Sequence, residues 1–236
     1  MKRIWIAMMA ALVLAVFANV AQAVTSNLIL GWDTTPSYLG EGGPFRASNI
    51  VNGPANLVVD GTGFTTFCIE ENEYFFPGQS YNFFVADYAF MGGKGGQTSP
   101  NQDPLDEKSA YLYWRFRTDP GFATTTEQVQ ALQVAFWYIE DEITGFPTDN
   151  PGTLAVFDVA LATAEVGKGW TNDGRVRVLN LYKGDDANTT SKDYNAGHYQ
   201  AQSQLGLFSV PEPGTLLLLG SGFLPMGLVL RKRFGK

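Results

Sequence analysis

Between residues 27 and 88, apolar positions recur at every second residue or in short runs, at 27–32, 56–59, 64–71 and 80–88. Turn-forming clusters, Gly42-Gly43-Pro44, Asp60-Gly61 and Pro77-Gly78, separate them. Side chains on a strand alternate faces with period two, so these runs predict short β-strands. From residue 104 the period lengthens. Leu105, Leu112 and Phe116 follow Pro104 at roughly helical spacing, and Asp119-Pro120-Gly121 stops that run. Val129, Leu132, Phe136 and Ile139 form a second stripe, with Thr124 as its cap and Glu127, three residues on, closing a capping box. Pro151 opens a third helix in which Leu154, Phe157, Leu161 and Ala164 align before Gly167. Period two returns at 175–182 and again at 204–210.

Strand-rich segments on either side of helices predict an α+β fold: a β-sandwich or open β-barrel with an inserted helical subdomain over 104–167. No internal repeat is present, which excludes a solenoid or propeller. The stretch Gly92-Gly93-Lys94-Gly95-Gly96, followed by Ser99-Pro100 and Asp103-Pro104, reads as a flexible linker. Its glycines lack the strand, helix and Lys-Ser/Thr context of a phosphate cradle.

The two ends follow different rules. Lys2-Arg3, an apolar run over 4–18 and Ala21-Gln22-Ala23 have the order of a secretory signal, so 1–23 is expected to be removed. At the other end stand Val210-Pro211-Glu212-Pro213-Gly214, an apolar run over 215–230, and Arg231-Lys232-Arg233-Phe234-Gly235-Lys236. This order predicts a transmembrane helix with a cytoplasmic basic tail carried by Arg231, Lys232 and Arg233. Residues 24–210 are then the exported domain.

Pro211, Glu212 and Pro213, the apolar run behind them and the basic terminus resemble the PEP-CTERM sorting signal. The resemblance covers 211–236. It implies a Gram-negative bacterial protein, held in the inner membrane until an exosortase, a transpeptidase-like membrane enzyme, processes it near the motif. The exported domain then belongs at the cell surface or in the extracellular matrix.

Composition narrows the chemistry. The 236 residues carry 16 Lys+Arg against 23 Asp+Glu, a net charge of −7, which argues against nucleic acid as a partner. At 45% hydrophobic residues the chain has ample material for a core. Its one cysteine, Cys68, excludes an internal disulfide and a multi-cysteine zinc site, and its one histidine, His198, excludes His-paired metal and triad chemistry. The expectation is a protein that is not an enzyme and needs no cofactor, with no residue assigned as a metal ligand.

Cys68 lies in Thr65-Thr66-Phe67-Cys68-Ile69-Glu70-Glu71. In a strand, Phe67 and Ile69 face one side while Thr66, Cys68 and Glu70 face the other, giving the cysteine a partly polar face. An unpaired thiol outside the cytoplasm calls for a reason, because oxidising surroundings draw exposed thiols into bridges. The second helix carries Ala131-Leu132-Gln133-Val134-Ala135-Phe136-Trp137-Tyr138, with Gln133 at the margin of the apolar stripe. A polar amide near the core demands a partner, and Cys68 is a chemically apt one. Attack of its thiolate on the Gln133 side-chain carbonyl, with loss of ammonia, gives an intramolecular thioester whose sulfur leaves when an amine or hydroxyl attacks. The plainer alternative is that Cys68 is a small core residue and Gln133 an amide bonded to backbone.

Phe67-Cys68-Ile69-Glu70, together with Gln133, Ala135 and Trp137, resembles the bacterial thioester domains of Gram-positive surface adhesins. In those domains an aromatic-Cys-Ile-acid segment supplies the sulfur and a Thr-Gln-x-Ala-Ile-Trp segment supplies the acyl group. Here Leu132 stands in place of the threonine and Phe136 in place of the isoleucine. The resemblance spans residues 62–142. It implies that Cys68 and Gln133 carry the bond and that the partner is an amine- or hydroxyl-bearing surface or matrix molecule, captured covalently in adhesion. The alternative is a non-covalent structural or carbohydrate-binding component of a biofilm matrix.

Other constellations are weaker. Glu70, Glu71 and Glu73 with Glu140, Asp141 and Glu142 would supply a carboxylate pair for glycoside hydrolysis if strand and helix met face to face. Charged runs are more often solvated faces. Asp185-Asp186-Ala187-Asn188 offers oxygen ligands but lacks the glycine turn and distal Glu of an EF-hand. Tyr111, Trp114, Trp137, Trp170 and Tyr199 are candidates for a sugar-binding surface or, more plainly, for core. His198 reads as a surface residue.

Overall fold

A computed structural model of the chain describes residues 25–33, 42–90, 93–97 and 101–210. The signal segment 1–23, the sorting residues Pro211, Glu212 and Pro213, the apolar run 215–230 and the basic residues Arg231, Lys232 and Arg233 lie outside the described residues. Among the described residues no helix is long and apolar enough to cross a membrane.

The elements run β1 (Ser26–Trp32), β2 (Phe45–Val51), β3 (Gly63–Thr66), β4 (Gln79–Ala86), β5 (Tyr88–Phe90), β6 (Gln102–Pro104), α1 (Glu107–Thr118), α2 (Thr126–Ile139), α3 (Asn150–Gly167), β7 (Val176–Lys183), β8 (Tyr199–Gln200) and β9 (Gln204–Leu207). One antiparallel sheet has the order β3-β2-β1-β4-β7-β8, with β9 also paired to β7, and β5 pairs with β6 in a small second sheet. Backbone just beyond β3 then meets β9. Leu205 N–H donates to Phe67 O at 3.1 Å, Ile69 N–H donates to Ser203 O at 3.4 Å, and Cys68 bridges Gln204. The sheet thereby curls into a nearly closed antiparallel barrel, and the seam that closes it runs through Cys68.

Alternation explains the barrel interior. Leu28 and Leu30 of β1, Phe45 and Ala47 of β2, Phe64 of β3 and Tyr81 and Phe83 of β4 are buried, each two residues from the next on its strand. Along β7 nearly every residue from Val176 to Tyr182 is buried, since α1 also packs there. The helical insert stands beside the barrel, with α2 at its centre: Ala131 through Trp137 are all buried, and α1 and α3 pack against them.

Local chemistry moves several expected boundaries. Pro104 belongs to β6, and α1 starts at the Asp106 cap, whose carboxylate accepts from Lys108 N–H at 2.7 Å. The cap of α2 is Thr125 rather than Thr124, and its reciprocal partner is Gln128 rather than Glu127. The Gln128 side chain accepts from Thr125 N–H at 3.0 Å, while Thr125 Oγ1 accepts from Gln128 N–H at 3.3 Å, satisfying donors the helix start leaves open. For α3 the expected Pro151 start holds, behind the Asp149 cap. Its buried stripe is Ala155 and Ala162, whereas Phe157 is 67% exposed. The run at 56–59 yields only an isolated bridge from Leu57 to Phe208, and the run at 64–71 leaves regular strand at Thr66.

Candidate functional site

The end of β3 and the middle of α2 bring Cys68 and Gln133 together. Both side chains are fully buried. The thiol donates to Gln133 Oε1 at 3.3 Å, Gly43 N–H donates to the same oxygen at 3.0 Å, and Gln133 Nε2 donates to Cys68 O at 2.8 Å. The amide is thus held at both ends, oxygen toward the sulfur and nitrogen on the cysteine's own carbonyl. Because β3 ends at Thr66, strict alternation is lost just where it matters. Phe67 packs its ring 5.2 Å from Phe136 while Cys68 meets Gln133, so neighbouring residues address the same face of α2.

Gly42-Gly43-Pro44, expected as a simple turn, forms the cover of this pair. A Cβ on Gly42 would stand 2.8 Å from the Trp137 ring and 2.9 Å from Gln133 Cγ, so only glycine lets the backbone come this close. Burial pushes the Cys68 thiol far above its ordinary pKa. Trp137 and the Gly43 amide pull it back in part, and the charge of Glu70 adds to the rise. The buried Trp137 indole N–H falls short of hydrogen-bond geometry to any group among the described residues, yet it lies close enough to draw the thiol downward.

Next along the chain is a group of carboxyls. Oxygens of Glu70, Asp103 and Glu142 lie within 4.8 Å of one another, and all three residues are buried. Asp141, in the left-handed region at φ 60, turns the chain after α2 so that Glu142 points back at the strand end. Glu142 accepts from Glu71 N–H at 2.9 Å, Lys94 N–H at 2.6 Å and Gly95 N–H at 3.2 Å, while Glu70 accepts from Gly93 N–H. Gly93, Lys94 and Gly95 therefore pack on carboxylates and do not form a free linker. Burial, reinforced by Glu73, Glu142 and Asp103, pushes Glu70 well up, and burial with Glu142 and Asp141 pushes Asp103 up to about 7. Glu140 is buried behind them, accepts from Asp106 N–H at 3.3 Å, and is pushed by burial up to about 8.

The strand and helix acids do meet, as a glycosidase would need, but at Glu70 and Glu142 alone. Gly93 lies against Glu142 so closely that a Cβ there would collide with the carboxylate. Glu71 pairs with Lys94, Glu73 with Lys192 at 3.4 Å, and Asp141 is exposed. Asp185 and Asp186 are exposed, and Asp186 accepts from Asn188 N–H at 2.9 Å in a local turn. Tyr111, Trp114 and Trp170 form one ring cluster with centroids 5.3 to 6.0 Å apart that packs onto the core. Trp137 stands instead beside Cys68, and Tyr199 packs on Tyr194. His198 is exposed. Asp103 and Gly43 were not singled out from sequence; the signal available was the glycine cluster preceding an isolated Asp.

Residues 209–233 match the PEP-CTERM protein-sorting motif. The match supports an exported protein sorted by an exosortase, its processing partner, toward the cell surface. No curated protein and no solved structure matches the chain.

Proposed function

We propose that the exported domain is a covalent adhesin whose warhead is a thioester between Cys68 and Gln133. The observation that carries this reading is the Cys68 Sγ contact to Gln133 Oε1 at 3.3 Å inside a dry site. Attack of the sulfur on the Gln133 side-chain carbon forms the carbon–sulfur bond, breaks the carbon–nitrogen bond and releases ammonia, which takes the thiol proton. The Gly43 amide at 3.0 Å already bonds the oxygen on which negative charge develops. Exclusion of water protects the product from hydrolysis. Capture follows when an amine attacks the same carbon: an amide to Gln133 forms and Cys68 recovers its thiol. Entry of that amine requires the Gly42-Gly43 cover to move aside.

Leu132, fully buried, removes the hydroxyl that the resembling adhesin domains carry at this position. Once the thiol has entered the bond, positioning of the Gln133 oxygen falls among the described residues to Gly43, which predicts slow capture. The test is the intact mass and peptide map of the exported protein with and without methylamine. A mass lower by one ammonia, absent from Cys68→Ala, and methylamine recovered on Gln133 support the reading. An unmodified mass with Cys68 freely alkylated after unfolding leaves a non-covalent structural or carbohydrate-binding matrix component.

A further inference from the structure

We propose that Glu70, Asp103 and Glu142 form a calcium site that ties together the segment after β3, strand β6 and the turn after α2. Acidic residues gathered at a surface would mean little, but these are enclosed and incompletely bonded. Glu70 has no exposed surface and Asp103 is 3% exposed, yet Glu70 Oε1 and Asp103 Oδ2 have no hydrogen-bond donor among the described residues. Those two atoms are shut off from water on carboxyls whose neighbours are carboxyls. A buried anionic oxygen without a donor is strongly unfavourable unless a proton or a cation neutralises it.

The chain supplies no such cation among the described residues. Among the described residues no ion pair reaches Glu70, Asp103 or Glu142: Lys94 turns to Glu71 and Lys192 to Glu73. The amides of Lys94, Gly95 and Glu71 all go to Glu142, and that of Gly93 goes to the other oxygen of Glu70. The donors hold two of the carboxylates in fixed orientation and leave Glu70 Oε1 and Asp103 Oδ2 without a donor among the described residues, which is how outer bonds prepare metal ligands.

The donor set is oxygen only, which selects a hard cation. Opposite ligands around calcium stand about 4.6–5.2 Å apart, so oxygens that lie within 4.8 Å of one another are close enough to share one calcium ion. Three carboxylates against a dication leave room for water to complete the shell. Export places the site where calcium is plentiful, and modules outside the cell bind it at about 0.1–1 mM. The site stands whether or not the thioester forms, although both depend on the same strand end.

The test is calorimetric titration of the full chain, solubilised in detergent and stripped with chelator, with calcium chloride, alongside its thermal midpoint. Binding of one calcium per chain and a higher midpoint are expected in the wild type, and both should weaken about tenfold or more in Glu70→Gln and in Asp103→Asn. Asp186→Asn should bind as the wild type does. Absence of calcium uptake by the wild type overturns the proposal without reference to any variant. So does undiminished binding by folded Glu70→Gln and Asp103→Asn, or loss of binding in Asp186→Asn alone.

Discussion

Cys68 and Glu70 share one strand end, and Gln133 and Glu142 share one helix and the turn that follows it, yet the two contacts they build differ in kind. At Cys68 and Gln133 the groups are neutral, and the amide oxygen and nitrogen both find partners within the chain. At Glu70, Asp103 and Glu142 the groups are acidic, and among the described residues two oxygens find none. Both sites are dry. The first is complete as folded, every polar atom of the Gln133 amide being hydrogen-bonded. The second is completed only from outside, by a proton or a cation.

That contrast is sharpened most by Gln133→Leu. The substitution keeps the bulk but strips Gly43 N–H and Cys68 C=O of their partner, and a destabilisation of about 2–4 kcal/mol is expected in the denaturant midpoint. It also removes the acyl group, so any ammonia-loss mass disappears with it. Glu70→Gln should behave in the opposite way. In chelator it replaces a buried acid by a neutral amide while keeping an oxygen for Gly93 N–H, and stability should stay level or rise by about 1 kcal/mol. An equal loss at both positions would erase the distinction between a complete and an incomplete site.

A pH series separates them further. Burial raises Glu73 from its ordinary 4.5 to about 7, partly offset by Lys192. The folded state therefore holds this proton more tightly than the unfolded state. Its contribution to stability is full below about pH 4 and declines as the pH rises through about 7, by roughly 1–3 kcal/mol. Glu73→Gln should flatten that slope in chelated protein, read from chemical denaturation at several pH values. The smallest effect belongs to Asp186→Asn, an exposed turn residue, which should shift stability by less than about 0.5 kcal/mol.

The two sites were also unequally legible in the sequence. Cys68 and Gln133 sit in short stretches whose residue types carry their own chemistry, and the structure brings them together. The carboxylate site is assembled from three distant segments, and its third member, Asp103, lies in a stretch whose glycines read as a linker. Those glycines serve close approach: the backbone at Gly93 packs against Glu142 where no side chain would fit. Period two found β1, β4 and β7 but missed β2, where Phe45 and Ala47 alternate with Arg46 and Ser48 for only four residues before Asn49 takes a left-handed φ of 48. It also missed β6, which is polar and ends in Pro104. On α2 the cap shifted by one residue because Gln128, and not Glu127, reaches back to Thr125. Helix stripes on α3 misjudged Phe157, since the face that packs is set by Ala155 and Ala162, small residues that let α2 approach closely.

The most direct measurement is the intact mass of the exported protein before and after methylamine, set beside Cys68→Ala. A thioester gives a wild-type mass short by one ammonia, a gain of one methylamine located at Gln133 on treatment, and neither change in the variant. A wild-type mass equal to the sequence, with Cys68 alkylated on unfolding and Gln133 unaltered by methylamine, would show that the pair is only a hydrogen bond in the barrel seam.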